Sequence, residues 1–172
     1  MKLFLLLSSP LLLFAVLKAT ADERPNILLC ISDDQSYYHT GASGDPVIET
    51  PAFDRIAREG LRFANAFCDA PTCGPSRSAI LTGQPIWRLE EAGNIHSTLP
   101  AKFTTYTELL AKAGYHVGFT GKGWSPGRLE PGGRSQNPAG IEFSERTAKA
   151  PFKMMRNTDY AGNFKKFLDA TD

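Results

Sequence analysis

The amino-acid sequence predicts an α/β fold with a mostly parallel central sheet, and three observations predict it. Apolar runs that read as strands alternate with segments of helical spacing. The first run, 26–32, is continuously apolar, which suits a strand buried on both faces. Acidic residues follow that run and a Gly-Lys pair follows a later one, so both lie at the carboxyl ends of strands, where ligands bind in open α/β sheets.

The elements follow in chain order. Met1-Lys2, an apolar run from Leu3 to Leu17 and the small-x-small triplet Ala19-Thr20-Ala21 form the pattern of a secretory signal peptide over 1–21. The mature chain is then expected to begin near Asp22 and to be secreted, periplasmic or lysosomal. Ser8, Ser9 and Pro10 interrupt the run, which is shorter than the ~20 residues a bilayer-spanning helix needs, so no stable membrane insertion is expected. Residues 22–172 suffice for one hydrophobic core. The first strand, 26–32, ends at Asp33-Asp34. Thr50 as N-cap and Pro51 in the first turn open a helix that carries Phe53, Ile56 and Ala57 inward and closes at Gly60. Residues 61–67 alternate as a second strand, and 75–81 form a short helix ending before Gly83. Thr105 and Glu108 form a capping box for a helix with Leu109, Leu110 and Ala113, stopped by Gly114. Residues 115–120 form the next strand, with Gly121-Lys122 at its end. The stretch 123–140 is aperiodic and rich in Gly, Pro, Arg and Ser, a long loop of the kind that is functional or mobile. Tyr160, Phe164, Phe167 and Leu168 give a last helix one apolar face, with no later strand to cover it.

Charge and cysteine usage narrow the function. With 19 Lys and Arg against 18 Asp and Glu there is no positive field to gather nucleic acid, and nucleic-acid binding is not expected. Three cysteines allow at most one bridge. Cys30, between Leu29 and Ile31, reads as a buried small hydrophobe. Cys68 and Cys73 lie five apart in a polar loop.

The densest chemical signal is Cys73-Gly74-Pro75-Ser76-Arg77-Ser78-Ala79-Ile80-Leu81-Thr82-Gly83. Pro75 opens a helix whose first N–H groups and dipole face the loop holding Cys73, and Arg77 adds a cation in the first turn. Such a place stabilises anions and favours a thiolate. A Cys68–Cys73 loop disulfide beside a merely well-capped helix is the alternative, and it stays open at this point. Asp33 and Asp34 are candidates for a metal site or for a turn, and Lys122 for a site residue or a solvated lysine. The glycines flanking Lys122 permit close backbone approach.

The Cys73-x-Pro75-Ser76-Arg77 segment with its trailing Leu81-Thr82-Gly83 resembles the signature of the type I, formylglycine-dependent sulfatases. Further matches are Arg24-Pro25-Asn26-Ile27-Leu28 leading to Asp33-Asp34, Thr50-Pro51 before Asp54-Arg55-Ile56-Ala57, Gly60 with Asn65-Ala66-Phe67, Ala113-Gly114-Tyr115 and Gly121-Lys122. The resemblance implies an alkaline-phosphatase-like sulfatase fold, of which this chain would be the N-terminal part. It implies that a maturation enzyme reads the signature and oxidises Cys73 to Cα-formylglycine, whose hydrate attacks the sulfur of a sulfate ester or sulfamate. Asp33 and Asp34, with the modified Cys73, match ligands of Ca²⁺ or Mg²⁺. Arg77 matches the residue that fixes the formylglycine, and Lys122 one that contacts it and the sulfate. A sulfated small molecule or glycan is the implied substrate.

Two departures stand out. Relatives follow Gly-Lys with Trp-His or a near variant, whereas Gly121-Lys122-Gly123-Trp124-Ser125-Pro126 has no His, and neither His96 nor His116 is an evident substitute. Family members also run to several hundred residues, so the remaining metal ligands and a further His and Lys are expected beyond 172, and the fragment alone is expected to be inactive. The Gly-rich stretch and the missing His resemble N-sulfoglucosamine sulfohydrolase-like members. A phosphonate or phosphodiester hydrolase of the same superfamily, using a similar formylglycine site, and a non-catalytic binding protein are the competing readings.

Overall fold

Helices and hydrogen-bonded loops, more than strands, carry the architecture of the computed structural model, which describes residues 24–150 and 152–171. The signal segment 1–21 and the start at Asp22 lie outside the described residues. The chain divides into two compact units, Met1–Gln35 and Ser36–Asp172. In the second, the helices are α1 (Pro51–Glu59), α2 (Cys73–Thr82), α3 (Tyr106–Lys112) and α4 (Tyr160–Asp169). Its strands β1 (Gly118–Phe119) and β2 (Ile141–Glu142) pair in parallel, Gly118 with Ile141 and Phe119 with Glu142. Short 3₁₀ turns at Gly41–Ser43, Ile86–Arg88, Glu90–Gly93 and Glu130–Gly132 fill the connections.

Local signals in the sequence explain the helices. The capping box of α3 is present: the Thr105 hydroxyl accepts from Glu108 N and the Glu108 carboxylate accepts from Thr105 N, at 3.3 and 2.8 Å. Gly83 closes α2 in the left-handed region at φ 64°, where a side chain would be strained. Thr50 precedes α1 with Pro51 at its start, as expected, yet its hydroxyl does not cap the helix. It donates to Asp54 Oδ1 at 2.9 Å and accepts from Gly41 N at 3.0 Å, tying the 41–43 turn to α1.

The strands depart furthest from expectation. Among the described residues, 26–32 and 61–67 form no ladder, and 115–120 contributes only Gly118 and Phe119. An apolar run becomes a strand only where neighbouring backbone satisfies its N–H and C=O groups, and composition does not say whether that neighbour exists. Accordingly Leu28 is 67% and Leu61 86% exposed, and Cys30 is exposed rather than buried. Phe53 and Ile56, expected to face inward from α1, are exposed as well.

The core of the second unit gathers Leu81 of α2, Leu89 and Ala92 of the 3₁₀ turns, Leu99, Trp124 and Ala139, with Phe103, Tyr106, Phe119 and Leu129 packed around it. Trp124, Leu129 and Ala139 come from 123–140, so that stretch is a structured part of the core rather than a free loop. Arg134 ties it to α3. Its side chain is only 4% exposed; Nε donates to Leu99 O at 2.9 Å, Nη2 to Phe103 O at 2.6 Å, and Nη1 pairs with Glu108. Burial pushes the Glu108 carboxyl up, but the Thr105 N–H and Arg134 outweigh it and leave its pKa below the ordinary value.

The apolar face of α4 is largely uncovered, as expected: Phe164 is exposed and only Phe167 is partly buried. Phe167 packs edge-on to Phe143, 5.5 Å between ring centroids, and lies 5.0 Å from His116, while Tyr160 and Leu168 remain exposed. Asp159 caps the helix by accepting from Gly162 N at 2.8 Å. Asn163, fully buried, accepts from Arg146 N and donates to Arg146 O, so the preceding chain is pinned to the first turn.

Replacing Arg134 by Ala is expected to lower stability by about 2–4 kcal/mol, because it removes a buried side chain and leaves Leu99 O and Phe103 O without their donors. Chemical denaturation of the two proteins measures this, and a loss under about 1 kcal/mol would show the network to be dispensable. A second prediction concerns Asp45, which accepts from Val47 N and Ile48 N at 2.8 and 3.0 Å and pairs with His39 at 2.9 Å. The His39 bond first, then the two N–H bonds, hold its carboxyl down to about 2 from 3.8. A depressed carboxyl pKa stabilises the folded turn above 3.8, and that contribution is lost as pH falls through about 2. Amide exchange at Val47 and Ile48, corrected for intrinsic rates, should therefore stay slow at pH 4 and accelerate towards pH 2. Equal protection at both pH values would contradict the assignment.

Candidate functional site

The first turn of α2 and the loop after β1 meet. Cys73 itself is the first helical residue, two positions earlier than expected, so Pro75 falls inside the first turn, where its missing N–H has no intrahelical partner to lose. Ser76 N closes the turn on Thr72 O at 2.9 Å. Cys73 is partly exposed, whereas Gly74, Pro75 and Ser78 are buried. A Cβ on Gly74 would stand 3.1 Å from the Pro126 carbonyl, a close approach that only glycine permits without a shift.

Arg77 crosses to the loop: its Nη1 donates to Gly123 O at 2.9 Å. Lys122 is thereby the residue next to the one Arg77 holds, and its own carbonyl accepts from Ser125 Oγ at 2.9 Å. Gly121 and Gly123 flank it at φ 86° and 50°. Gly121 N donates to Ser144 Oγ at 3.0 Å, and a Cβ on Gly123 would come within 2.5 Å of the Phe119 ring. The flanking glycines are therefore required by backbone conformation, and at Gly123 by contact as well.

Three side chains that the sequence did not single out complete the junction. The Trp124 indole, 3% exposed, donates from Nε1 to Ser78 Oγ at 2.9 Å, and Ser78 Oγ donates to Gly74 O at 3.0 Å. Asn137 accepts from Trp124 N and donates to Trp124 O, at 3.1 and 3.0 Å, and accepts from Ala139 N. The one signal in the sequence was a large aromatic, Trp124, set among Gly, Ser and Pro.

Of the sequence-predicted site residues, Cys73, Arg77 and Lys122 are thus carried on two segments that Arg77 joins. Asp33 and Asp34 belong to the first unit, where Asp34 sits in the left-handed region at φ 56°, which Asp adopts more readily than most residues. Their carboxylates are hard oxygen donors suited to Ca²⁺ or Mg²⁺, but among the described residues no group of three or more His, Cys, Asp or Glu is arranged to hold a metal. Cys68 and Cys73 are both free thiols. His116 packs with Phe143 and Phe167, and His96 occupies a turn at φ 59°.

Residues 25–168 match the family model described as Sulfatase. The chain belongs to the sulfatase family. N-acetylgalactosamine-6-sulfatase of Homo sapiens is 40% identical over 114 residues, 59% of this chain and 22% of the relative. Arylsulfatase G of Homo sapiens is 35% identical over 117 residues, 66% of this chain and 22% of the relative. N-acetylgalactosamine-6-O-sulfatase of Bacteroides thetaiotaomicron is 34% identical over 119 residues, 67% of this chain and 23% of the relative. This sulfatase-family chain therefore spans about a fifth of the length of these curated relatives. No solved structure matches it. The family's fold is α/β and alkaline-phosphatase-like, and the parallel β1–β2 pair with its helices is a portion of it.

Asn137→Ala removes three hydrogen bonds around Trp124 at one stroke. Amide exchange at Trp124 and Ala139 is expected to rise by roughly tenfold or more while α3 amides keep their protection. Unchanged exchange at both positions would show that Asn137 does not hold the loop.

Proposed function

We propose that this sulfatase-family protein hydrolyses sulfate esters or sulfamates of sulfated carbohydrates, with a formylglycine made from Cys73 as nucleophile. The observation that carries the reading is the Cys73-x-Pro75-Ser76-Arg77 signature on the first turn of α2, bonded through Arg77 to the residue beside Lys122. The names of two relatives, N-acetylgalactosamine-6-sulfatase of Homo sapiens and ulvan-active sulfatase of Formosa agariphila, support a sulfated carbohydrate as the substrate class.

The formylglycine, as its hydrate, supplies a hydroxyl nucleophile that a cysteine thiol does not offer and releases sulfate when the aldehyde reforms. Arg77, fixed through Gly123 O, holds a permanent cation in the turn that carries position 73. Lys122 supplies an ammonium for the sulfate oxygens, where negative charge is already present and is redistributed in the transition state. The α2 N-terminus adds oriented N–H dipoles of the same sign. Asp33 and Asp34 serve as part of the donor set for Ca²⁺ or Mg²⁺, which supplies Lewis-acid charge stabilisation; two carboxylates fall short of the ~6–8 oxygens Ca²⁺ takes. Calorimetric titration of Ca²⁺ into the chain and into Asp33→Asn/Asp34→Asn tests the pair without activity: weaker binding in the variant is expected, and equal binding would remove the assignment.

The maturation enzyme that oxidises Cys73 is the proposed protein partner, and a secreted, periplasmic or lysosomal location goes with the signal peptide. No described helix is long and apolar enough to cross a membrane.

Mass spectrometry of the tryptic peptide 63–77 after co-expression with a maturation enzyme tests the nucleophile. An aldehyde at position 73 is expected, and a retained thiol or a Cys68–Cys73 bridge would overturn the reading. In the protein that turns over sulfate esters, Cys73→Ala should lower kcat by roughly a thousandfold or more and Lys122→Ala by about a hundredfold. Faster turnover of matched phosphate esters or phosphonates would instead favour the phosphorus hydrolase reading.

A further inference from the structure

We propose that Trp124 is a positioning residue: its buried indole N–H, bonded to Ser78 of α2, fixes the Lys122 segment against the turn that carries Cys73. The inference rests on the reading of Cys73 and Lys122 as groups that act on the same sulfate.

Arg77 and Ser78 are neighbours on α2, and Gly123 and Trp124 are neighbours on the loop. Two cross-links join them in parallel, Arg77 Nη1 to Gly123 O and Trp124 Nε1 to Ser78 Oγ, each 2.9 Å. One bond between two segments leaves them free to pivot; two bonds from consecutive residues fix direction as well as distance. The direction of the second is settled by chemistry, since an indole nitrogen only donates. Ser78 therefore accepts from Trp124 and gives its own proton to Gly74 O, the carbonyl next to Cys73. The relay runs from the residue two after Lys122 to the residue one after Cys73.

The rest of the loop keeps Trp124 in place. Asn137 bonds both its N–H and its C=O, and the ring is packed in the core with Leu81 and Leu99. Gly123 separates Lys122 from Trp124 in a left-handed conformation that the Phe119 ring would deny to any larger residue. That glycine lets the lysine stay at the turn while the tryptophan goes inward. Phenylalanine would keep an apolar ring in the core, at the cost of a small void, but leave the buried Ser78 oxygen without its donor. Groups that act on one transition state lose rate steeply when misplaced by as little as an ångström, so a relay of this kind acts on kcat through its neighbours.

The test uses the full chain with Trp124→Phe, Ser78→Ala and the double variant. Expressed without the maturation enzyme, each is alkylated with iodoacetamide, and the Cys73 rate is measured against that of the exposed Cys68 in the same peptide. A several-fold faster Cys73 rate in each single variant, with no further gain in the double, is expected of one shared bond. An unchanged rate in Trp124→Phe, or gains that multiply in the double, overturns the proposal. If Trp124→Phe does not fold, Ser78→Ala alone decides by the same criterion. In matured protein that turns over sulfate esters, each single variant should lower kcat roughly tenfold with KM nearly unchanged, and full kcat in Trp124→Phe overturns the proposal too. Absence of an aldehyde at position 73 after co-expression with the maturation enzyme would remove the proposed function, and the alkylation comparison would still decide the relay.

Discussion

A ten-residue helix cannot place its own first turn. The N–H groups there have no intrahelical partners, and α2 has no side-chain cap from Thr72. What places it is the pair of cross-links from Arg77 and Ser78 to the loop after β1. Remove them and Cys73, Arg77 and Lys122 become residues of two separate segments. With them, a partly exposed cysteine, a fixed guanidinium and a lysine turn form a single piece of structure whose back is the hydrophobic core. The charge there is positive and the helix dipole has the same sign, which suits an anionic ester.

The loop is held from behind in turn. Asn137 secures Trp124, Arg134 secures the loop to α3 through Leu99 O, Phe103 O and Glu108, and the capping box makes Glu108 available for that pairing. Polar groups taken from water are costly unless satisfied, and each of these is satisfied by backbone N–H or C=O groups or by a charge of opposite sign. Rigidity in a segment rich in Gly and Pro thus comes from side-chain bonds rather than from regular secondary structure.

How much of this was legible in the sequence depends on the range of the interaction involved. The ends of α1, the capping box of α3 and the Gly83 stop of α2 could be read because caps, boxes and glycines act within a few residues, whereas α2 begins two residues before the expected start and the Asp159 cap of α4 carried no signal that stood out. The Cys73-x-Pro75-Ser76-Arg77 motif stands out in the sequence by its local spacing, whereas Lys122 becomes a candidate only through its place after an apolar run and through the resemblance. The strands could not, because 26–32 and 61–67 have strand-like composition but no ladder among the described residues, and a ladder depends on distant backbone. Cys30 failed for the same reason, since its burial was inferred from neighbours that are themselves exposed. Trp124 stands out as a large aromatic in its loop, but its partners Ser78 and Asn137 do not, because the bonds that join them span 46 and 13 residues.

Position 73 is proposed here as a modified nucleophile on a helix turn clamped to the Lys122 loop. The most direct measurement is a crystal structure of the protein produced together with a formylglycine-generating enzyme. An aldehyde or its hydrate is expected at position 73, with Arg77 bonded to Gly123 O and the Trp124 indole to Ser78. An intact thiol or a disulfide to Cys68, with the loop away from α2, would contradict it.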